Sequence, residues 1–368
     1  MKKDYIRVDA KVLRGFVEDL YAKYGLIKRD RKIVADVLLA ADLKGVDSHG
    51  VSRLVWYDEW IRKKLLNLKP NIRIVWETQT TAAVDGDNGL GMLVSVYAMK
   101  VAIKKAKQYG SGFVSVSRSN HFGIARYYSM MALEEDMIGI SMTNMIPMVV
   151  PTYGKIRMLG TNPLSFAVPA KNQDPFVLDM ATTGVSGGKL EIAIREGKEI
   201  PLGLVLDNKG NPTTDPKAPW TGGSLLPLGG EGSQLGGHKG YGLAVLVNIL
   251  CGALSGSIYG IEPKDSEIFG KPLFKTANVG HFFGAIRVDG FRPKGKVKND
   301  MDLMLNDLKE SDPASGNKRV YVAGEKSHAN EIDRIQNGIP LHIKTISDLN
   351  MLGKQYQVSC SFLQGKKY

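Results

Sequence analysis

Cysteine is scarce in this chain of 368 residues, with Cys251 and Cys360 the only two. They form no spacing pattern, so the sequence offers neither a disulfide framework nor a zinc site, and we expect a cytoplasmic protein. Long apolar segments are lacking too. The longest run, LAVLVNILCGALSG at 243–256, is too short to span a bilayer and contains Asn248. The start MKKDYIRVDA has no apolar core, so we expect neither a signal peptide nor a membrane partner.

Acidic residues are outnumbered, 37 against 49 basic ones, which gives a net charge of +12. A basic surface is one mark of nucleic-acid binding. The lysines are spread over the whole chain, however, with only short clusters at 104–107 and 294–298. No aromatic residues alternate with them, as a groove for single strands requires. We therefore expect no nucleic-acid partner, and a basic nucleic-acid-binding protein remains the alternative from another class.

The apolar spacing of residues 9–68 is typical of helices, which we place at 9–25, 30–45 and 47–65. The third helix would have Asp47 or Ser48 as its N-cap. This block predicts a helical N-terminal domain at 1–75, completed by about 290–368.

After residue 70, β-branched alternation and turn residues indicate a mixed α/β body at 76–289. We expect a helix at 91–110 and a strand–helix–strand unit at 112–145. Strands should follow at 163–170 and 175–183, then a Gly/Pro-rich loop at 201–237 and an apolar helix at 240–254.

Two glycine-rich stretches fall short of known phosphate-binding motifs. Residues 89–94, GLGMLV, have a valine where the third glycine of a dinucleotide fingerprint stands. In GSQLGGHK at 232–239, His238 separates Gly237 from Lys239 and no hydroxyl residue follows for magnesium, which excludes an NTPase. The remaining turn places Lys239 at a helix start. It could bind an anion, or its glycines could only let a buried helix approach its neighbours.

Two polar stretches contain residue types suited to proton transfer. In DSHGVSRL at 47–54, one helix face would present His49 and Arg53, four residues apart, as a proton-transfer group and a carboxylate-binding group. An exposed pair at a helix start is the simpler interpretation of that spacing. His121 should lie at or near a helix N-terminus, where the dipole lowers the imidazole pKa and keeps it neutral as a proton acceptor. A capping histidine is the alternative.

Polar residues also end two predicted strands, at 142–144 and 178–183, and form a loop just before another, in 160–169. Polar strand ends are where α/β proteins usually bind ligands. A metal site built from Asp47 and the two histidines is not expected, because no pair has the spacing of a metal-binding helix.

Seven motifs occur in a fixed order: DSHGVSRL, SNHFGIARYYSMMA, GTNPLSFAVP, LDMATT, NPTTDP, PLGG and HKGYGLAVLVNILCGALSG. As a set they resemble the type-2 malate/L-lactate dehydrogenase family over roughly residues 5–345. That family includes malate, sulfolactate and ureidoglycolate dehydrogenases, diketogulonate reductase and a cyclic imine reductase. The resemblance implies a homodimer with NAD or NADP held outside a Rossmann fold, and an α/β (α+β type) mixed-sheet body with a helical domain.

The resemblance also implies roles for individual residues. His121 and His49 would be the acid/base groups, with Ser48 beside the substrate and Arg53 on its carboxylate. Cofactor contacts would come from a larger set: Asn120, Thr143, Asn144, Asp179, Met180, Ala181, Lys239, Gly240, Gly324 and Glu325. The chain departs from the family pattern at Met145, at 187–189 and at 323–325.

The expected substrate is malate or oxaloacetate, because a second carboxylate suits a cationic protein and malate is the family's commonest assignment. Lactate, sulfolactate, diketogulonate, ureidoglycolate and cyclic imines are the alternatives, and the sequence does not distinguish NAD from NADP.

Overall fold

A computed structural model describes residues 4–257 and 278–360. Its centre is a seven-stranded sheet in the order β2-β3-β4-β11-β5-β6-β7. The strands are β2 (Arg73–Glu77), β3 (Thr81–Asp85), β4 (Ser111–Ser119), β5 (Met137–Thr143), β6 (Leu164–Val168), β7 (Phe176–Met180) and β11 (Val279–Arg287). Of the neighbouring pairs in this described sheet, β3 and β4 are parallel and the others antiparallel. The mixed α/β fold predicted from the sequence is confirmed.

Strand β11 lies between β4 and β5, antiparallel to both. The predicted strand–helix–strand unit at 112–145 therefore exists, but its two strands are not neighbours. The segment that separates them comes from more than 130 residues further along the chain. Local spacing carries no record of such an insertion, because strand pairing is decided by the packing of the whole sheet.

The remaining strands of the described residues form two smaller sheets. Strand β1 (Tyr5–Val8) pairs antiparallel with β12 (Ile339–His342). Strands β8 (Val205–Leu206), β9 (Pro212–Thr213) and β10 (Ser224–Leu225) form the other, in the order β10-β8-β9. The segment predicted as a loop at 201–237 thus contains three two-residue strands, too short to leave an alternating pattern in the sequence.

Ten α-helices occur in the described residues: α1 (Ala10–Lys23), α2 (Lys28–Leu43), α3 (Leu54–Arg62), α4 (Gly91–Tyr109), α5 (Ala125–Met131), α6 (Gly187–Glu196), α7 (Gly237–Asn248), α8 (Lys294–Glu310), α9 (Glu325–Asn337) and α10 (Ile343–Tyr356). Asp9 caps α1, since its carboxylate accepts hydrogen bonds from the N–H groups of Lys11 and Val12. The apolar helix predicted at 240–254 begins earlier, at Gly237, and continues beyond Asn248 as a π-helical turn over Ile249–Ala253. No described helix is long and apolar enough to cross a membrane.

One apolar core joins the N-terminal helices to the sheet. It contains Leu13 and Leu38 from α1 and α2, Val114 from β4, Phe283 from β11 and Leu349 from α10, all fully buried. Truncating one such leucine to alanine costs about 2–5 kcal/mol of unfolding free energy. Helix α10 contacts α1 and α3, so the C-terminal segment lies on the N-terminal helices. The division into a helical domain and a separate body stays a prediction.

Candidate active site

The segment predicted as a helix from Asp47 is not a helix at its start. Two 3₁₀ turns, Asp47–His49 and Val51–Arg53, are separated by Gly50, and α3 begins only at Leu54. The helix start predicted at Asp47 or Ser48 is therefore wrong, as is the shared helix face of His49 and Arg53. The backbone leaves helical geometry at Gly50, where φ is −89° and ψ is −147°.

A buried carboxylate explains this break. Asp42, at the end of α2, is 1% exposed, and its Oδ2 accepts a hydrogen bond from the Val51 N–H at 2.8 Å. A Cβ at position 50 would collide with that carboxylate, so only glycine fits there. Burial raises the pKa of Asp42 well above its ordinary value, more than the bond from Val51 lowers it. The turn that contains His49 and Arg53 is thus shaped by α2.

Arg334 of α9 holds the same turn from outside. Its Nη1 donates to the backbone carbonyl of Asp42 and to the carboxylate of Asp47. The side chain is mostly buried, with 11% of its surface exposed. Arg334 therefore ties the end of α2 to the first residue of the turn.

His49 and His121 lie together, although 72 positions separate them in the sequence. Their rings stack with centroids 5.4 Å apart and planes 30° apart. Each ring uses Nδ1 for a hydroxyl group: His49 bonds to Ser48 Oγ at 2.8 Å, and His121 bonds to Tyr57 Oη at 2.6 Å. Both residues are half-buried. Nε2 of each ring is therefore the nitrogen left for a substrate.

Both imidazoles are neutral at physiological pH. Burial, followed by the nearby Arg53 charge, lowers the pKa of His49 to about 4. Burial also lowers the pKa of His121 well below its ordinary value, with smaller effects of His49, Arg53 and His281. Helix α5 begins at Ala125, four residues after His121, so His121 lies near the helix start and outside the helix. The neutral state is as expected, but burial rather than the helix dipole is its main cause.

Arg53 lies at the edge of this pair. Its Nε donates to the carbonyl of Ser48, and its guanidinium stacks on the Trp56 ring at 3.8 Å. Nη2 reaches Glu191 Oε1 of α6 at 3.4 Å. The start of α6 also lies against Ser48, because a Cβ at Gly188 would collide with that side chain. Helix α6 therefore covers the turn.

A narrow pocket opens beside His121. It is lined by Trp60, Leu65, Leu66, Asn120, His121, Met145, Ile146 and Val279. The wall is mainly apolar with a single imidazole, but the cavity volume is only about 30 Å³, so a planar ring would fit next to this proton-transfer group only if the wall moved apart. Of the residues assigned to cofactor contacts, Asn120 is the one in this lining.

Three of the residues assigned to the cofactor bind other parts of the chain with their side chains. Asn120 Nδ2 donates to the Gly89 carbonyl at 2.9 Å, and Asn144 Oδ1 accepts from the Gly280 N–H at 2.9 Å. Thr143 Oγ1 donates to the Gly280 carbonyl at 3.1 Å. These buried groups fix the ends of β4, β5 and β11. Contact with a cofactor would therefore come from backbone or apolar atoms, and their assignment stays a prediction.

The assigned residues around β7 lie at two different ends of that strand. Asp179 forms a buried ion pair with Arg126 of α5, with Arg126 Nε 3.1 Å from its carboxylate, and half-buried Met180 and Ala181 follow it. Gly324 packs against Val177, which is three residues from Met180 and therefore about 10 Å from it along the strand. Glu325 pairs with Arg319. The structure does not bring Gly324 and Glu325 to Met180.

Lys239 and Gly240 line a separate, wide cleft at the start of α7. Its lining is Leu228, Gly229, Ser233, Gln234, Leu235, Gly236, His238, Lys239, Gly240 and Leu243. Lys239 is exposed, whereas Gly240 is buried against Leu228. An exposed ammonium group with hydroxyl, amide and imidazole neighbours fits the phosphates of a dinucleotide.

Sequence reasoning missed three residues of the site. Tyr57 is four residues after Arg53, a spacing that could have indicated it. Glu191 and His281 gave no comparable signal. His281 is fully buried on β11, where it joins Thr143 Oγ1 at 2.8 Å to Ser119 Oγ at 2.7 Å, and burial lowers its pKa to about 3. It therefore holds β4 and β5 together behind His121.

No group of three or more potential ligands in the described residues could hold a metal ion. Two neutral imidazoles beside a guanidinium have the chemistry needed to move a proton on an anionic substrate, as an enzyme site requires. The model of the malate/L-lactate dehydrogenase family matches residues 8–350, and the chain belongs to that family. The family resemblance inferred from the sequence is thereby confirmed.

Individual relatives agree with this assignment. The chain is 45% identical to the malate dehydrogenase of Pyrococcus abyssi, covering 97% of this chain and 96% of that one. It is 41% identical to the L-sulfolactate dehydrogenase of Methanocaldococcus jannaschii, covering 87% and 89%. The solved malate dehydrogenase of Pyrococcus horikoshii OT3 superposes with a TM-score of 0.88 at 42% identity, covering 98% and 97%. The protein is an oxidoreductase that acts on 2-hydroxy acids with a nicotinamide cofactor, as predicted.

Proposed function

We propose that this enzyme interconverts malate and oxaloacetate with NAD or NADP. The observation that carries the proposal is the stacked His49–His121 pair with Arg53 at its edge. The relative named malate dehydrogenase at 45% identity supports malate among the 2-hydroxy acids. The net charge of +12 agrees with a substrate that has two carboxylates.

His121 is the proposed principal acid/base. In the oxidation direction its Nε2 accepts the proton of the substrate hydroxyl, which requires the neutral imidazole that burial maintains. In the reduction direction the protonated ring stabilises the growing alkoxide and returns the proton. His49, oriented by Ser48, donates a hydrogen bond to the reacting oxygen. Arg53 binds the carboxylate next to the reacting carbon.

The nicotinamide supplies the hydride chemistry when bound. On this chain, the residues around the pocket beside His121 would hold the ring after the pocket has widened from its volume of about 30 Å³, and the cleft of about 540 Å³ with Lys239 would hold the phosphates. Asn120, Met180 and Ala181 would add contacts at strand ends. Gly324 and Glu325 are the weakest members of the proposed set, because they lie at the other end of β7.

A homodimer is proposed as well. Helix α7 and its π-helical extension leave large apolar side chains exposed: Leu243 at 37%, Leu246 at 46%, Ile249 at 51% and Leu254 at 60%. Monomers rarely expose contiguous apolar patches of this kind, so a second copy is the proposed cover. One chain has a mass of 40.3 kDa, and light scattering on the purified protein should give twice that value.

The function is tested by following oxidation of NADH and NADPH with oxaloacetate, pyruvate, sulfopyruvate, diketogulonate and piperideine carboxylate. Fast turnover with oxaloacetate alone would establish malate dehydrogenase and rank the two cofactors. Sulfopyruvate is the second candidate, because a relative at 41% identity is named for sulfolactate. A higher kcat/KM for sulfopyruvate than for oxaloacetate would replace malate as the proposed substrate.

A further inference from the structure

The guanidinium of Arg53 presents only one edge to a ligand. Arg53 has five N–H donors, and a carboxylate binds best across two parallel ones. Its Nε already donates to the Ser48 carbonyl, and one face of the planar guanidinium lies on the Trp56 ring. The edge formed by Nη1 and Nη2 is therefore the one that remains for a bidentate carboxylate.

Glu191 of α6 reaches this same edge. Its Oε1 lies 3.4 Å from Arg53 Nη2, and the Arg53 side chain is only 11% exposed. Glu191 follows Gly188 by three residues, so both lie on one face of the helix, and Gly188 is the residue in close contact with Ser48. The approach of α6 to the turn thus places a carboxylate where a substrate carboxylate has to bind.

We propose that Glu191 is a specificity-determining residue that holds the Nη1/Nη2 edge of Arg53 until a substrate carboxylate displaces it. Ligands that lack a carboxylate, or whose anionic group binds a guanidinium weakly, do not displace it and are rejected. Substrates able to make two parallel hydrogen bonds to Arg53 replace the 3.4 Å contact between Glu191 and Arg53. The inference rests on the proposed role of Arg53 as the carboxylate-binding residue.

The test compares wild type with Glu191→Gln, which keeps the size of the side chain and removes its charge. Calorimetry measures the Kd of malonate, a dicarboxylate that cannot be oxidised, with the oxidised nicotinamide cofactor at saturation. We expect malonate to bind about two- to fivefold more tightly, the range for removing one partly exposed ion-pair competitor. The KM for oxaloacetate should fall by the same factor, with kcat changing less than KM.

Glu196→Gln is the matched control, because it makes the same charge change on the same helix at a residue whose carboxylate pairs with Lys198 at 2.7 Å. Equal tightening in this control would show a general charge effect and overturn the proposal. Arg53→Ala separates the two levels of the argument. Unchanged malonate binding in Arg53→Ala would overturn the proposed function of Arg53 and the inference with it. If Arg53→Ala binds malonate more weakly but Glu191→Gln has an unchanged or higher Kd for malonate, the role of Glu191 alone is overturned.

Discussion

Replacing Tyr57 by phenylalanine should slow catalysis through His121 without changing the fold. Tyr57 is 2% exposed, and its hydroxyl lies 2.6 Å from His121 Nδ1. To accept a proton at Nε2, the neutral ring must have its own proton on Nδ1, and the Tyr57 oxygen can accept that N–H. The Gly123 N–H, 3.4 Å from Nδ1, favours the opposite tautomer. Tyr57 therefore stabilises the form of His121 that the oxidation direction needs.

The size of the effect follows from the loss of one neutral hydrogen bond, about 0.5–1.5 kcal/mol, or about a two- to tenfold decrease in kcat/KM. Because the overall equilibrium is fixed by the reactants, kcat/KM must fall by the same factor in both directions. Nitrogen NMR of the histidine side chains should show His121 shifted toward the tautomer protonated at Nε2.

Tyr24→Phe is the control for this experiment, since it removes a partly buried hydroxyl that bonds at 2.8 Å to Asp58 and to neither histidine. It should leave kcat/KM and the His121 tautomer as in wild type. A Tyr57→Phe enzyme with wild-type kcat/KM and an unchanged His121 spectrum would refute the reasoning. A decrease accompanied by a lower melting temperature in both variants would point to loss of stability instead.

Three further predictions concern the same site. His121→Ala should reduce turnover by at least ~10²-fold, the low end for general acid–base catalysis, and near-normal steady-state turnover would move the role to His49. Arg53→Ala should raise the KM for oxaloacetate far more than the Kd for the cofactor, and equal changes in the two constants would remove it from the substrate carboxylate. The third is a pH effect on stability. The folded-state pKa of His49 is about 4 against an ordinary 6.5, so unfolding takes up a proton between these values, and this contribution is present above pH 6.5 and lost as pH falls toward 4. Between pH 6.5 and 4, the free energy of unfolding measured with urea should therefore fall by up to roughly 3 kcal/mol less in His49→Gln than in wild type. Parallel pH profiles of the two proteins would contradict the low pKa.

The sequence allowed the family, the mixed α/β fold and the two histidines to be predicted, because these depend on motif order and local pattern. Their arrangement depends on contacts that are remote in sequence. Gly50 interrupts the expected helix because Asp42 is buried beneath it. The neutral state of His121 follows from burial among His49, Arg53 and His281, which no helix-start pattern can show.

Elements with weak local signals were missed for the same reason. Helix α8 is so polar that its few apolar positions form no clear helical pattern in the sequence. Its buried residues are Asp302 and Leu305. Asp302 is buried because its carboxylate accepts hydrogen bonds from the N–H groups of Lys171 and Asn172, a contact across 130 residues. Glu191 is comparable: its acidic side chain matters only because α6 lies over Arg53.

Arg334 is synthesised long after the turn that it holds in place. The turn with Ser48 and His49 is made early by the ribosome, but the guanidinium that ties Asp42 and Asp47 together arrives 287 residues after Asp47. Since the nascent chain emerges N-terminus first, the turn lacks this tie until α9 has been made and has docked. Maturation of the proposed active site is thus coupled to the synthesis of α9, and chains released before α9 would have His49 and His121 without the tie that fixes the turn.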